Sequence, residues 1–560
     1  MMNFSTTIYF GRLRESKMKI KPLFTKNDDI TIESYLHAYG ISNMHTYLNP
    51  PTSVLDDCYI YDNMKEAVDN IKYCLLNDLS FGIIQDSDTD GICSAYMMYK
   101  YIKYQNKNCK VKIFLQNGKE RGLDSETLRQ HIIDYKPSCL IIPDAGTNSR
   151  EYEDTIIDND ICMIVADHHK AEKDKVCQRA IVINNTMNSI ECNRELSGTG
   201  VTFKLIQAID KDMNTKYSNR FIDLVGLSII SDCMDVKTYE NRWFVKYILD
   251  IDHIHNPFLS ELFDRLPNEY TQKDISFKII PMFNSVIRSG TTEDKQKLFM
   301  AFNGNDIEET ISMCESYHRK QIDRVADFVR HHADEIEEQA DSNITIIDAN
   351  DVPQSFSGLI AGKISGMTNK PCIVGKSINK ELKGSFRGYI PIDTMSQMPH
   401  VTFAQGHDTG AYGIALDTSK SQNLTDFRAE IDKMDISIDQ VVVAEFGANN
   451  IPKVLFTRFN EHKDLWGQQL PKPQFSIYGI RVNSNAIKEL ANNTLKIVYD
   501  DYEIMFFNAD LSKFHLREDK DLIINVVGEL NINKWYKTTN QIVVNDYEIK
   551  EVTNTFEDLI

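Results

Sequence analysis

Four groups of aspartate and histidine residues each follow a short apolar run of the chain. The apolar runs are FGIIQ, CLIIP, ICMIVA and LVGLSIIS, and runs this short with helical patterns between them are typical of buried parallel strands. Because the carboxyl ends of parallel strands open into one crevice, we expect the polar residues that follow them to meet there. These residues are Asp86, Asp88 and Asp90 in DSDTDG, Asp144 in DAG, Asp167, His168 and His169 in DHH, and Asp232.

A cluster of this many carboxylates needs a counter-charge. Two carboxylates about 4 Å apart repel by roughly 4 kcal/mol at an effective dielectric of about 20. A helix amino terminus returns only about 0.3–1 kcal/mol. The cluster must therefore take up protons or bind cations. Carboxylates mixed with imidazoles suit Mn²⁺ or Mg²⁺, whereas Ca²⁺ prefers an all-oxygen cage. An aspartate shared between two ions predicts a two-metal phosphoesterase site.

Two simpler interpretations compete with this metal site. DSDTDG could be a calcium loop, but such a loop needs a glutamate six residues after its glycine, where this chain has Met97. A lone Asp-His-His is more often a solvated turn than a set of ligands. His331 and His332 serve as a comparison, since they lie in a charged stretch with helical periodicity and are expected to be exposed. The DHH group differs because it follows a predicted strand.

The motifs together resemble those of the DHH phosphoesterases, and most closely the RecJ-type single-strand-specific exonucleases. The similarity consists of DSDTDG, PDAG, ADHHK and a helix ending in SDCMDV, together with ELSGTGVTFKLI, ENRWFV and PMFNSVIRSG. It extends over most of the chain. It implies hydrolysis of phosphodiester bonds with two Mn²⁺ or Mg²⁺ ions as cofactors, and no Ser-His-Asp or Cys-His pattern competes with that chemistry.

The resemblance also implies a role for each member of the cluster. Relatives that act on small substrates carry a histidine where this chain has Ile84, which argues against an inorganic pyrophosphatase. His169 would meet the scissile phosphate or support the ligands, and Asp167 would orient an imidazole. One metal would be bound by Asp88 and Asp144 with Asp86 nearby, and the other by Asp90, Asp144, His168 and Asp232.

Composition limits the class of protein. The 560 residues are enough for roughly three or four domains, and 42% hydrophobic with 26% charged residues is ordinary for a globular protein. We expect no membrane span and no signal peptide, because no apolar run is long enough. Eleven cysteines without a CxxC pair indicate reduced thiols in a cytoplasmic protein. A net charge of −19 excludes a nonspecific DNA-coating protein and predicts weak, salt-sensitive binding to bulk DNA.

The pattern along the chain predicts an α/β protein with four structural parts after a leader, and the resemblance implies what each part is. The leader, residues 1–55, would pack on the catalytic domain. The other parts are a parallel-sheet DHH catalytic domain at 56–305, one long connector helix at 306–341, a smaller α/β DHH-associated domain at 342–425, and an OB-like β domain at 430–560. In the last part we expect the runs VVVAEF, KVLFTRF, PQFSIYGIRV, TLKIVYDDYEIMFF, DLIINVVGEL and NQIVVNDYEI to be strands.

Contacts to DNA are expected from basic and aromatic residues outside the cluster. Isolated arginines are as often partners in surface ion pairs, glycine-rich segments are also common as plain turns, and a single aromatic residue is explained equally well by core packing. By the resemblance, the candidates for backbone or phosphate contacts are Arg121, Arg288, Lys383, Ser385, Arg387 and His407. The candidates for base stacking in the OB-like domain are Trp535, Tyr536 and Phe456.

The acidic motifs predict a metal-dependent phosphoesterase, and the resemblance implies an exonuclease that removes nucleotides from the 5′ end of single-stranded DNA. Its partners would be single-stranded DNA and proteins of DNA repair, recombination or replication. One alternative is a DHH phosphodiesterase for short oligonucleotides or cyclic dinucleotides. The C-terminal β domain argues against it, since a dinucleotide needs no tether. The other is a catalytically inactive RecJ-like replication adaptor, against which the complete aspartate set argues.

Overall fold

The structure is a computed structural model that describes residues 19–116, 123–349, 351, 353–407, 410–435, 440–534 and 537–552. The chain folds into two compact units. The parallel-sheet unit comprises residues 36–320 and 463–471, and the two-sheet unit comprises residues 1–35, 321–462 and 472–560. A short piece of the C-terminal half, 463–471, thus belongs to the parallel-sheet unit.

The leader is divided between the two units. Its elements are β1 (Ile20–Pro22), α1 (Ile32–Ala38) and α2 (Met44–Leu48). β1 pairs in parallel with a strand at Gln440–Val442 in the two-sheet unit. In the parallel-sheet unit, the hydroxyl of Tyr47 on α2 donates to the carbonyl of Val236 at 2.9 Å. The expectation that all of residues 1–55 pack on the metal-motif domain is therefore wrong, because a three-residue strand paired far along the chain leaves no periodic signal.

The parallel-sheet unit is built on five parallel strands in the order β3-β2-β4-β5-β6. This sheet confirms the α/β class and the strands predicted from FGIIQ, CLIIP and ICMIVA. All residues of the two central strands, β2 and β4, are buried. The strands are β2 (Phe81–Gln85), β3 (Val111–Leu115), β4 (Cys139–Pro143), β5 (Cys162–Asp167) and β6 (Ile181–Asn184).

Helices cover this sheet and supply the remaining metal motifs. One apolar core joins Ile142 and Val165 of the sheet to Leu128 and Ile156 on two of the helices. The helices are α3 (Met64–Leu76), α4 (Thr89–Gln105), α5 (Glu126–Tyr135), α6 (Arg150–Ile157), α7 (Gly198–Met213), α8 (Ile222–Ser231), α9 (Tyr239–Ile248), α10 (Pro257–Phe263), α11 (Gln272–Asp274), α12 (Ile280–Ser289) and α13 (Thr292–Phe302). A π-helical turn at Ile275–Ile279 joins α11 to α12.

The run LVGLSIIS belongs to helix α8, so its interpretation as a strand is wrong. Every residue of α8 from Ile222 to Ile230 is buried. A helix that is apolar on all sides has no 3.6-residue pattern, and periodicity cannot distinguish it from a buried strand. The helix ending at SDCMDV that the family resemblance implies is the correct description.

The connector is two helices rather than one. α14 (Ile307–His331) and α15 (Ala333–Glu338) are separated at His332. His331 is exposed, as expected, and the ring of His332 stacks on Phe328 with centroids 3.9 Å apart. The boundary between the two units falls within α14.

The first sheet of the two-sheet unit has the order β10-β11-β9-β8-β7, with only β7 and β8 parallel among its pairs. Helices on it make this part α/β, in keeping with the expectation for 342–425. The strands are β7 (Thr345–Asp348), β8 (Cys372–Ile378), β9 (Glu381–Arg387), β10 (Val401–His407) and β11 (Ala411–Asp417). The helices are α16 (Ser357–Thr368), α17 (Ile392–Ser396) and α18 (Ser421–Asp432).

The second sheet has seven strands in the order β13-β14-β18-β19-β17-β16-β15. The parallel pairing of β17 with β19 among antiparallel neighbours agrees with an OB-like domain. KVLFTRF is a helix, not a strand, because its buried residues recur at three and four positions, as Leu455, Phe456 and Phe459 do. The elements are β12 (Gln440–Val442), β13 (Glu445–Gly447), α19 (Val454–Asn460), β14 (Phe475–Asn483), β15 (Lys488–Leu490), β16 (Thr494–Tyr499), β17 (Tyr502–Phe506), β18 (Asp521–Asn533) and β19 (Thr539–Glu551).

Across the described part of the chain, no helix combines the length and the apolar character needed to span a membrane.

A buried ion pair ties α7 to α9 within the parallel-sheet unit. The side chains of Lys204 and Glu240 are 0% and 3% exposed and bond to each other. Lys204 also donates to the carbonyl of Asp56 at 2.7 Å, and Glu240 accepts from the Asp56 amide at 3.0 Å. Removing one partner of such a pair leaves an uncompensated charge in the interior.

We predict that Lys204→Met destabilises the parallel-sheet unit by about 3–5 kcal/mol, because Glu240 stays buried without its cation. Urea unfolding followed by tryptophan fluorescence measures this, since Trp243 lies on α9. Lys65→Met is the control: it breaks the exposed pair with Asp69, and its unfolding midpoint should equal that of the wild type. Equal midpoints for Lys204→Met and the wild type would contradict the prediction.

Candidate metal centre

Asp144 lies at the carboxyl end of the central strand β4 and is 1% exposed. Its φ of 63° is in the left-handed region, which aspartate tolerates better than most residues. Neither of its carboxylate oxygens makes a hydrogen bond with any described residue. Burial and the charges of the surrounding aspartates raise the pKa of the Asp144 carboxyl well above its ordinary value.

Three sets of potential ligands converge on this position. In each set, one ligand atom from every member lies within 4.8 Å of the others, and Asp144 belongs to two of the sets. The structure thus brings together every residue of the predicted cluster except Asp167, which belongs to none of the three sets. The sets are Asp86, Asp88 and Asp144; Asp90, His168 and Asp232; and Asp144, His168 and His169.

The DSDTDG segment forms the turn from β2 into α4. Asp88 is the N-cap of α4 and accepts a hydrogen bond from the Gly91 amide at 2.8 Å. A Cβ at Gly91 would lie 2.7 Å from the backbone of Asp86. The glycine therefore permits the tight return that presents three aspartates from one short loop.

The amino terminus of α7 anchors Asp90. The amides of Gly198 and Thr199 donate to the two oxygens of Asp90, each at 2.8 Å. These amides are the ones a helix leaves without intrahelical partners, so a carboxylate there is favourable. Asp90 is thus fixed by two helices, its own α4 and the facing α7.

The two histidines of the DHH motif differ in their surroundings. His168 Nε2 lies 3.3 Å from Asp144 Oδ1 and 3.3 Å from Asp232 Oδ2, yet makes no hydrogen bond within the described part of the chain. Burial and the neighbouring His169 lower the pKa of His168. The ring is therefore neutral at physiological pH, the form in which imidazole binds a metal.

Asp167 orients His169. Its Oδ1 accepts from the backbone amide of His168 at 2.7 Å and lies 2.8 Å from His169 Nδ1, and its Oδ2 accepts from the Thr147 amide at 3.0 Å. Burial raises the pKa of Asp167, but the His169 imidazole and the hydrogen bonds outweigh it and hold the pKa well below its usual range. His169 Nδ1 therefore carries its proton toward Asp167, which directs Nε2 outward.

These observations fit a site for divalent cations. Buried carboxylate oxygens and an imidazole nitrogen without hydrogen bonds point at one another, and repulsion between such oxygens is relieved only by protons or cations. The donor set is rich in carboxylates, contains one or two imidazoles and lacks thiolates, as hard divalent ions prefer.

Arg288 and Asn284 lie on one face of α12 beside the metal motifs. Thr89 donates to Asn284 Oδ1 at 2.9 Å, which leaves the amide nitrogen of Asn284 as the outward donor. Burial lowers the pKa of Arg288, while the charge of Asp88 acts in the opposite direction. The charges of Arg288 and Asp88 are thus close enough to interact. Arg121 lies outside the described residues.

The candidate phosphate contacts of the two-sheet unit lie along β9. Lys383 pairs with Glu381 at 3.0 Å. Ser385 is 6% exposed, with its Oγ 2.8 Å from that of Ser357. Arg387 passes so close to α16 that a Cβ at Gly358 would lie 2.7 Å from Nη2. His407 ends β10, and its side chain lies outside the described part.

Phe456 does not fit its predicted role as a base-stacking residue. Its side chain is 2% exposed, and its ring lies 6.2 Å from that of Tyr502 in the interior. The prediction that Phe456 stacks on bases is therefore wrong, because KVLFTRF forms a helix whose apolar face packs in the interior. Trp535 and Tyr536 lie outside the described residues.

Sequence reasoning gave no role to Gly198 and Thr199 at the start of α7. The segment Ser-Gly-Thr-Gly before an apolar helix is a recognisable start signal, and free amides at a helix start bind anions. That signal could have identified an anchor for one carboxylate of the cluster.

A comparison with known protein families finds a match for the part of the chain that contains the metal motifs. Residues 80–229 match the model of the DHH family, N-terminal domain. Together with the acidic cluster, this match agrees with the resemblance to DHH phosphoesterases that the motifs predicted.

Two curated relatives are similar over most of the chain. An SPbeta prophage-derived protein of Bacillus subtilis (strain 168) named YorK, a single-strand DNA-specific exonuclease, is 26% identical over 93% of this chain and 96% of its own length. The single-stranded-DNA-specific exonuclease RecJ of the same organism is 22% identical over 88% of this chain and 64% of its own. Crystal structures of RecJ from Thermus thermophilus with Mn²⁺ and with Mg²⁺ have TM-scores of 0.75 and 0.68 at 17% and 16% identity. In both comparisons the similarity covers 92% of this chain. It covers 75% of the RecJ chain with Mn²⁺ and 73% of the RecJ chain with Mg²⁺.

We predict that Gly198→Ala weakens binding of Mn²⁺ at least about tenfold, because displaced ligands lose affinity on this scale. An added Cβ would lie 2.2 Å from Asp144 Oδ1 and would displace that carboxylate. Isothermal titration calorimetry measures the affinity. The control is Gly366→Ala on α16, where an added Cβ meets nothing within 4 Å. Wild-type affinity in Gly198→Ala would refute the proposed position of Asp144 among the ligands.

Proposed function

We propose that this protein is a metal-dependent exonuclease that hydrolyses single-stranded DNA from its 5′ end. The observation that carries the proposal is the shared position of Asp144 between two sets of ligand atoms, with both of its oxygens buried and without hydrogen bonds. An aspartate so placed is suited to bridge two divalent ions, the arrangement found in many phosphodiester-cleaving sites.

The relatives support the substrate class. YorK and the Bacillus RecJ are both named as exonucleases specific for single-stranded DNA, and RecJ structures contain Mn²⁺ or Mg²⁺. We therefore take Mn²⁺ or Mg²⁺ as the cofactor here. The direction of cleavage rests on the resemblance to the RecJ-type branch.

Two groups of residues in the site would each hold one metal ion. One ion would be held by Asp86, Asp88 and Asp144, and the other by Asp90, Asp144, His168 and Asp232. Bound divalent ions supply positive charge to the phosphodiester and lower the pKa of water toward neutrality.

Three side chains around the ligands would act on the DNA itself. His169, with its Nδ1 proton held by Asp167, would donate from Nε2 to a phosphate oxygen in the imidazolium form, in which both ring nitrogens carry protons. Asn284 offers its amide nitrogen, and Arg288 adds a cation at the rim. Side chains at defined places thus hold the scissile phosphate, and no protein nucleophile is required.

The two alternatives fit less well. The OB-like sheet suits a polymer, because such domains hold single strands along a groove. A cyclic dinucleotide needs no such extension. A catalytically inactive adaptor would not need the buried oxygens of Asp144 and the buried Nε2 of His168 to lack hydrogen bonds, an arrangement that destabilises the protein unless cations bind.

The free cysteines and the net charge bear on the compartment of the protein and on its contact with DNA. All eleven cysteines are free thiols, in keeping with a reducing compartment, and we propose the cytoplasm. Proteins of DNA repair, recombination or replication are the partners expected of such an enzyme. With a net charge of −19, contact with DNA depends on local basic residues and weakens steeply with salt.

We predict that Asp144→Asn lowers the turnover number at least about a hundredfold, because the charge that would bind both ions is lost. Asparagine also tolerates the left-handed backbone at this position. Without metal, the variant should melt at the same temperature as the wild type or higher, since a buried acidic group is removed. The assays are release of nucleotides from single-stranded DNA with Mn²⁺, and thermal unfolding in EDTA.

Asp264→Asn, an exposed residue at the end of α10, is the control and should retain wild-type turnover. Near-normal turnover in Asp144→Asn would exclude the bridging role.

Substrate and direction can be tested together. We predict that single strands labelled at the 5′ end release labelled mononucleotide at once, whereas strands labelled at the 3′ end give a ladder of shortening products. Blunt duplexes and cyclic dinucleotides should persist, and EDTA should stop the reaction. Early release of the 3′ label would contradict cleavage from the 5′ end and indicate cleavage from the 3′ end. Cleavage of dinucleotides alone would favour the short-substrate alternative, and absence of any product would favour the adaptor.

A further inference from the structure

A chain of two serine hydroxyls lies behind Asp90, on the side away from the other ligands. Ser197 is the N-cap of α7, and Ser228 lies on α8. Their Oγ atoms are 2.5 Å apart, and Ser228 Oγ lies 2.5 Å from Asp90 Oδ1. Both serines are completely buried. The three groups therefore form a closed hydrogen-bonded chain in the interior.

The direction of the protons in this chain is fixed by its two ends. The amide of Gly200 donates to Ser197 Oγ at 3.2 Å. Both oxygens of Asp90 accept from backbone amides, so the single hydroxyl proton of Ser228 points to Asp90. The proton of Ser197 then points to Ser228. The positive end of α7 is thereby connected through two hydroxyls to one oxygen of Asp90.

This chain makes the two oxygens of Asp90 unequal. Oδ1 accepts from Ser228 Oγ, from the Thr199 amide at 2.8 Å and from the Thr199 hydroxyl. Oδ2 accepts from the Gly198 amide and lies 3.9 Å from His168 Nε2. A carboxylate has about four acceptor positions, which is about two for each oxygen. Three donors therefore fill those of Oδ1. Only Oδ2 has an acceptor position left for a cation.

We propose that Ser228 is a positioning residue that makes Asp90 a ligand through Oδ2 alone and so sets the affinity of the metal position shared with His168 and Asp232. This inference rests on the proposed function. Without the Ser228 hydroxyl, Oδ1 loses one of its donors, and the orientation of the carboxylate depends on Gly198 and Thr199 alone. The geometry of that one metal position is then lost, while the position at Asp86, Asp88 and Asp144 is unchanged.

The test is calorimetric titration of Mn²⁺ into the metal-free full-length protein. In Ser228→Ala, one of two Mn²⁺ should bind about 10–100-fold more weakly, as expected when a group supporting a ligand is removed, while the other keeps its affinity. The Mn²⁺ concentration for half-maximal hydrolysis should rise by the same factor, and turnover at saturating Mn²⁺ should recover to within a few-fold. If Ser228 only packed α8 against α7, Ser228→Ala would leave the affinity for both Mn²⁺ ions unchanged.

Two further variants sharpen the result. Ser197→Ala leaves the Ser228 hydroxyl on Asp90 and should have the smaller effect. Ser285→Ala is the matched control: Ser285 is equally buried, but its hydroxyl donates to the carbonyl of Met282 on its own helix. It should bind both ions as the wild type does. Ser228→Cys keeps the side-chain size with a weak donor, and should reproduce the Mn²⁺ defect if the alanine variant does not fold.

Unchanged affinity for both ions in folded Ser228→Ala or Ser228→Cys would overturn the positioning role alone, provided that the wild type binds two Mn²⁺ and degrades DNA. A wild type that binds no Mn²⁺ would overturn the proposed function as well.

Discussion

Repulsion between buried carboxylates is the constraint on which the site depends. Asp144 is almost fully enclosed, its oxygens make no hydrogen bonds with described residues, and further aspartates surround it. Hydrogen bonds alone cannot balance such a cluster, because charges at these distances repel by several kcal/mol at about the effective dielectric of a protein. Divalent cations supply what is missing. The proposed chemistry of the site and the stability of its architecture thus have the same physical origin.

The fold supplies rigid supports for this strained arrangement. Strands β2, β4 and β5 end at one edge of the sheet and deliver ligands from distant parts of the sequence. Helix α7 directs its free amides at Asp90, and Gly198 gives Asp144 the space it occupies. Asp167 holds His169 in one tautomer. Each support acts on a different ligand, so loss of one should distort one part of the site.

The convergence of the aspartates and histidines could be predicted from the sequence because strand ends and acidic motifs are local signals. The run LVGLSIIS could not be assigned correctly by periodicity, since a fully buried helix has no polar face. The prediction for Phe456 is wrong for a different reason, since α19 has a helical period but is only seven residues long. The pairing of β1 with β12 and the Ser197–Ser228 contact join distant residues, and no local pattern encodes them.

The most direct test of the central claim is an anomalous difference map from crystals grown with Mn²⁺ and measured at the manganese absorption edge. The account predicts two peaks, one at Asp86 and Asp88 and one at Asp90, His168 and Asp232, with both peaks in contact with Asp144. A single peak, or two peaks of which only one touches Asp144, would contradict the shared-aspartate centre from which the function was derived.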